Sequence, residues 1–169
     1  MRAMQDLPAG LERLRELHAA GAYEDALALT GALLERFPGC AALWVKRGML
    51  MQLSNDEPVG DAPLDEIAEC FQRAQVLAPG DAEADIELGH FRYAVEDDTP
   101  AGMALFVAAE EKALGRLREA IAGQLRCAAE LKDLETIQRL HARIAAVFPP
   151  DDDLVYLCIE LGIPAPDRP

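Results

Sequence analysis

Glu87-x-x-His90 sets a carboxylate and an imidazole one turn apart, the spacing that puts two metal ligands on one helical face. Carboxylate-bridged di-iron bundles need two such pairs and two further glutamates. Neither His18 nor His141 has a Glu three residues before it, so the second pair is missing. The three histidines are scattered, and the sequence argues no Ser-His or Cys-His pairing. Cys40, Cys70, Cys127 and Cys158 lie far apart, without a C-x-x-C. That spacing favours reduced thiols packed as small hydrophobes over a zinc or redox centre. Asp151 to Asp153 follow a Pro pair at a helix start, where carboxylates cap the helix and complement its dipole rather than gather a cation. P-loop, G-x-G-x-x-G, G-x-S-x-G and H-E-x-x-H motifs are missing. The expectation is a protein that is not an enzyme, with no catalytic residue, no metal and no cofactor.

Composition narrows the class. The 169 residues suit one domain, and 51% are hydrophobic, which excludes a disordered chain. Only 5% are aromatic, so a core must be rich in Leu and Ala, as packed helices are. The net charge of −14 repels phosphate backbones and argues against nucleic-acid binding. The most basic stretch, Arg116 to Arg143, is interrupted by Glu119, Glu130, Asp133 and Glu135 and reads as a solvated helical face. The start, MRAMQDLPAG, has no apolar signal region, and no run approaches about 18 apolar residues. A cytoplasmic protein with no membrane partner is expected.

The apolar periodicity is helical throughout. Leu7, Leu11, Leu14 and Leu17 form a first stripe, ended by Gly21. Tyr23 to Phe37 carries a second, ended by Pro38-Gly39. Leu43, Trp44, Gly48, Leu50 and Met51 mark a third helix, followed by a loop over 54–63. Leu64 to Ala78 is a fourth, ended by Pro79-Gly80, and Asp81 to Val95 a fifth. Asp98 or Thr99 can cap a sixth, with Pro100 at its first position. Residues 101–131 form either one helix of about 30 residues, near 45 Å long, or two that meet at Gly115. Asp133 caps a seventh through Val147, and a short last helix carries Leu154, Leu157 and Leu161.

Pro38 and Pro79 stand 41 apart, as do Gly48 and Gly89, and Pro79 and Pro149 stand 70 apart. Amphipathic helix pairs at such a period mark a helical solenoid. The chain here resembles the tetratricopeptide-repeat family, whose unit reads W-x2-L-G-x2-Y, then A-x3-F, then P. Trp44, Gly48 and Met51 stand at the W, G and Y places, followed by Ile67, Phe71, Ala74 and Pro79. Gly21-x-Tyr23-x-x-Ala26 and Pro38 serve a first unit, Leu88 and Gly89 a third, and Leu125, Ala128, Ile137 and Pro149 a fourth. The resemblance implies an all-α, right-handed solenoid of helical hairpins, with three to four pairs and a C-terminal capping helix. Its units are about 7–40, 41–81, 82–117 and 118–151, with the cap at 152–162 and a polar outer face on that cap.

In that family the first helices of the pairs line a concave groove that holds a protein or peptide. By register, the resemblance assigns partner binding to Arg15, Lys46, Met49, Gln52, Ile86, His90, Tyr93 and Arg126. His18, Val45, Glu83, Glu87 and Glu130 share those faces. Met49, His90 and Tyr93 are expected to form one patch, extended by Arg126. The Lys/Asn/Arg set with which chaperone-tail receptors hold a carboxylate is missing. The implied function is a non-catalytic scaffold or adaptor. The alternative is a dedicated chaperone or neutralising partner for one basic cognate, such as a secreted effector or toxin.

Overall fold

A computed structural model describes residues 6–54, 62–148 and 152–165. Among them lie eight α-helices and no strand. They are α1 (Leu7–Ala19), α2 (Tyr23–Arg36), α3 (Ala41–Ser54), α4 (Ala62–Leu77), α5 (Glu83–Ala94), α6 (Thr99–Leu131), α7 (Leu134–Val147) and α8 (Asp152–Glu160). The fold is all-α, as the periodicity predicts. Of the expected 54–63 loop, residues 55–61 lie outside the described residues, and so does Pro149 to Asp151 before α8. No helix among the described residues is long and apolar enough to cross a membrane.

The chain divides into two units, one ending at Lys112 and the other beginning at Ala113. In the first, α1 packs on α2, α2 on α3, α3 on α4 and α4 on α5, and α3 also meets α5. This is the neighbour-on-neighbour packing of a helical repeat. Glycines set the close approaches. A Cβ on Gly10 would stand 2.7 Å from Leu33, one on Gly48 2.7 Å from the Phe71 ring, and one on Gly89 2.9 Å from Phe106. Each pair joins the two helices of one hairpin: α1/α2, α3/α4 and α5/α6. Phe71, fully buried, then meets Phe91 of the next hairpin with ring centroids 6.5 Å apart. Burying an aromatic side chain of this size contributes about 1.5–3 kcal/mol, so this wedge is a principal joint of the stack. Trp44 closes the α2–α3 turn, where its Nε1–H donates to the Pro38 carbonyl at 2.9 Å.

Two clusters fill the first unit. One is built on Leu14, Leu29, Leu33, Leu43 and Leu50. The other is built on Val45, Ile67, Phe71, Leu88 and Phe91. The second unit has its own core of Ile121, Leu125, Leu140, Ile144, Phe148, Leu154, Leu157 and Cys158.

Helix ends follow local chemistry. Gly21 takes φ +71° in the α1–α2 turn. Asp98 Oδ1 accepts from the Ala101 N–H and Asp133 Oδ1 from the Thr136 N–H, both at 3.0 Å. Asp98 is therefore the cap of α6, and Pro100 falls at the second helical position rather than the first. Residues 101–131 belong to one helix of 33 residues. Gly115 does not break it. An exposed Gly costs a helix about 1 kcal/mol, less than the burial of Ile121 and Leu125 further along supplies.

Candidate functional site

The sequence-predicted partner residues divide by exposure. On α5, Ile86 (38% exposed), His90 and Tyr93 (55%) follow one another at helical spacing on an open face. The opposite face of the same helix, Ala84, Leu88 and Phe91, is buried. The His90 ring meets Phe106 edge-on at 5.0 Å, and the root of Tyr93 abuts Gly102, so the start of α6 fixes both side chains. On α3, Lys46 and Met49 are half-buried, with Lys46 Nζ 3.8 Å from Met49 Sδ. Met49 also packs on the second core cluster, which limits what it offers a partner. Gln52 is half-buried. Val45 was expected on the groove face and is instead core, 3% exposed. The helix turns it toward Phe71 and Leu88, within the same cluster.

Arg15 is exposed and ion-paired with Glu12 at 2.5 Å, a surface pair of little energetic consequence. Arg126 lies in the second unit, exposed, beside a cleft of about 410 Å³ lined also by Glu119, Tyr156 and Glu160. Glu87 is half-buried and His90 exposed. No three His, Cys, Asp or Glu side chains among the described residues gather as metal ligands.

Three arrangements were not read from the sequence. Asp85 is 4% exposed, yet its Oδ1 accepts from Gln75 Nε2 at 2.8 Å and its Oδ2 pairs with Lys112 Nζ. The carboxylate thus ties α4, α5 and α6 together. Its neighbours at i−1 and i+3 are core residues, and that placement was the available signal.

Cys158, wholly buried, stands with its Sγ 3.6 Å from His141 Nε2. Burial pushes the Cys158 thiol up, so it stays protonated near neutrality and joins α8 to α7 as a weak hydrogen-bonding group. This is a structural contact, not an activated nucleophile.

The third is a groove of about 910 Å³ that runs between α2 and α4 across α3. Leu34, Trp44 and Cys70 give it an apolar floor, and Arg47, Arg73, Glu35, Glu66 and Glu69 stand around it. Burial pushes the Cys70 thiol up, against the smaller opposing pull of Arg47. None of the residues assigned to the partner groove by register lines it. Gly31, in the interior of α2, was its one visible sign, since a helix spends stability to keep a Gly there.

No protein-family model, no curated protein and no solved structure matches the chain.

Proposed function

We propose that this chain is a non-catalytic module that binds a partner protein or peptide on the open face of its α3–α5 layer, as a scaffold or adaptor. The α5 stripe carries the reading: Ile86 and Tyr93 are held open to solvent beside His90, on a helix whose other face is core. Apolar and aromatic side chains exposed at one helical spacing are the anchors interfaces use. The tetratricopeptide resemblance belongs to the same proposal. It is supported by the Gly48–Phe71 approach and by Trp44 closing the Pro38 turn. The charge of −14 favours a basic partner, and it keeps in play the second reading, a chaperone that masks one basic cognate.

A photo-crosslinking residue at position 93 identifies the partner, and titration of that purified partner against wild type and Ile86→Ala/Tyr93→Ala tests the face. Weakened binding with an unchanged melting curve supports it. Unchanged affinity moves the site elsewhere. A partner that aggregates without this chain favours the chaperone role, and a partner stable alone favours the adaptor.

A further inference from the structure

We infer that the groove between α2 and α4 is a second docking site, distinct from the α5 face, and that its occupant is a basic amphipathic helix of a partner protein.

The shape comes from small residues and an oriented ring. Gly31 leaves one wall open: a Cβ there would meet only the end of Arg47, at 3.6 Å. Trp44 is fixed by its bond to the Pro38 carbonyl, so its ring is a preformed part of the floor rather than a mobile side chain. The α4 wall runs from Glu66 to Val76, about 15 Å of helix, or three turns. Val76 ends it 72% exposed, a large apolar residue facing water where a second helix would cover it.

The charge names the occupant. Glu35, Glu66 and Glu69 are exposed, and none is in an ion pair among the described residues. Glu66 and Glu69 lie one turn apart on α4, and Glu35 faces them from α2. Lys or Arg residues one turn apart on an incoming helix would meet this ladder, while its apolar face covers Trp44, Leu34 and Val76. Arg47, placed beside the Cys70 thiol at the floor, offsets part of this charge. Arg73 is the other cation of the lining, so three carboxylates against two guanidiniums leave the groove a net charge of −1. An acidic helix would set its carboxylates against three glutamates, in a chain that already carries −14.

Trp44 is the only tryptophan in the chain, so its emission reports this groove and not the α5 face. The probe is a 14-residue helical peptide with Leu on one face and Lys one turn apart on its flanks. The control has Glu in place of every Lys. Titration of the Lys peptide should give a saturable blue shift of Trp44 emission that weakens with added salt, and the Glu peptide should give none. Glu66→Gln/Glu69→Gln should weaken binding at least about tenfold, and Gly31→Leu, which fills the groove, should abolish the shift. Melting curves of both variants confirm that they fold. The proposal is overturned if Trp44 emission stays constant, if the Glu peptide binds as well as the Lys peptide, or if folded Gly31→Leu binds like wild type. Ile86→Ala/Tyr93→Ala should leave the shift unchanged. Loss of the shift in that variant would make the two surfaces one and overturn the separation.

Discussion

Gly48 and Phe71 stand so close that a Cβ on Gly48 would lie 2.7 Å from the ring. The ring has little room to retreat, since it is fully buried and packs against Phe91. Gly48→Ala regains about 1 kcal/mol of helix propensity but overpacks the joint by about 1–3 kcal/mol, so the variant should melt lower. Gly115→Ala tests the opposite sign. Nothing lies within 4 Å of that position, and the same propensity gain should raise the melting temperature. Equal shifts in the two variants would show that Gly48 is not a contact point.

Asp85 depends on its partners because it is buried. Removing one partner of a buried pair typically costs about 3–5 kcal/mol. Lys112 reaches solvent, so Lys112→Met should fall at or below the lower end of that range. Gln75→Leu should cost less, because it removes one neutral donor. Asp85→Leu/Lys112→Met should be more stable than Lys112→Met alone, since no carboxylate is then left stranded. Urea unfolding of these three variants and of Asp85→Leu alone settles the order. Additive losses would mean that Asp85 and Lys112 are not coupled.

The apolar periods and Pro-Gly breaks, such as Pro38-Gly39 and Pro79-Gly80, were enough to place the helices to within a few residues, because burial at period 3.6 is written directly in residue type, but they left 101–131 open as one helix or two. The cap at Asp133 was legible for the same local reason. Long-range pairings were not. Asp85 with Lys112 and Cys158 with His141 are set by how helices meet, and a single sequence records no such geometry. Val45 shows the limit of register: one residue from Lys46, it turns into the core. Most of the groove's lining lies on α2 and α4, the second helices of their hairpins, to which the resemblance assigned no partner residue, so only Gly31 hinted at it.

Asp133 gives stability a sign in acid. Its carboxylate accepts from the Thr136 N–H, and that bond holds its pKa below the ordinary carboxylate value. A depressed folded pKa stabilises the fold above the unfolded value, and the contribution is lost as pH falls through the folded one. Asp133→Ala should therefore melt lower than wild type at neutral pH, and the gap should narrow in acid. Asp133→Asn keeps a capping oxygen at every pH and should remove most of the neutral-pH loss. A gap between Ala variant and wild type that persists unchanged to the lowest pH would assign the loss to something other than the charged cap.

The α5 face predicts a separation between binding and folding. Tyr93→Ala and Ile86→Ala remove exposed side chains and should leave the melting temperature within a degree or two, since surface substitutions mostly stay within about 0.5 kcal/mol. Together they should weaken partner binding by at least about 1–2 kcal/mol, as central interface residues do. Met49→Ala behaves differently, because Met49 packs on the core, and it should lose stability as well as affinity. Titration beside thermal melts separates the two effects. A Tyr93 variant that melts early would mean that its contact with Gly102 is structural and that the open face is smaller than proposed.

Closure of the second unit rests on α8. Leu154, Leu157 and Cys158 are buried in the cluster of Ile121, Leu125, Leu140, Ile144 and Phe148. Removing α8 uncovers that cluster. Each buried Leu contributes about 1.5–3 kcal/mol, and whole domains are stable by only about 5–15 kcal/mol, so a chain ending at Phe148 should lose much of its stability and aggregate. Leu154→Ala is the gentler test and should cost about 2–5 kcal/mol. The expected polar outer face is not what α8 presents. Tyr156 (66% exposed) and Ile159 (64%) stand outward beside Asp153 and Glu160, so the helix covers the core with one face and shows apolar groups on the other. Tyr156→Ser/Ile159→Lys should therefore leave the melting temperature unchanged and raise solubility. If that variant melts early while Leu154→Ala does not, the two faces of α8 have been assigned the wrong way round.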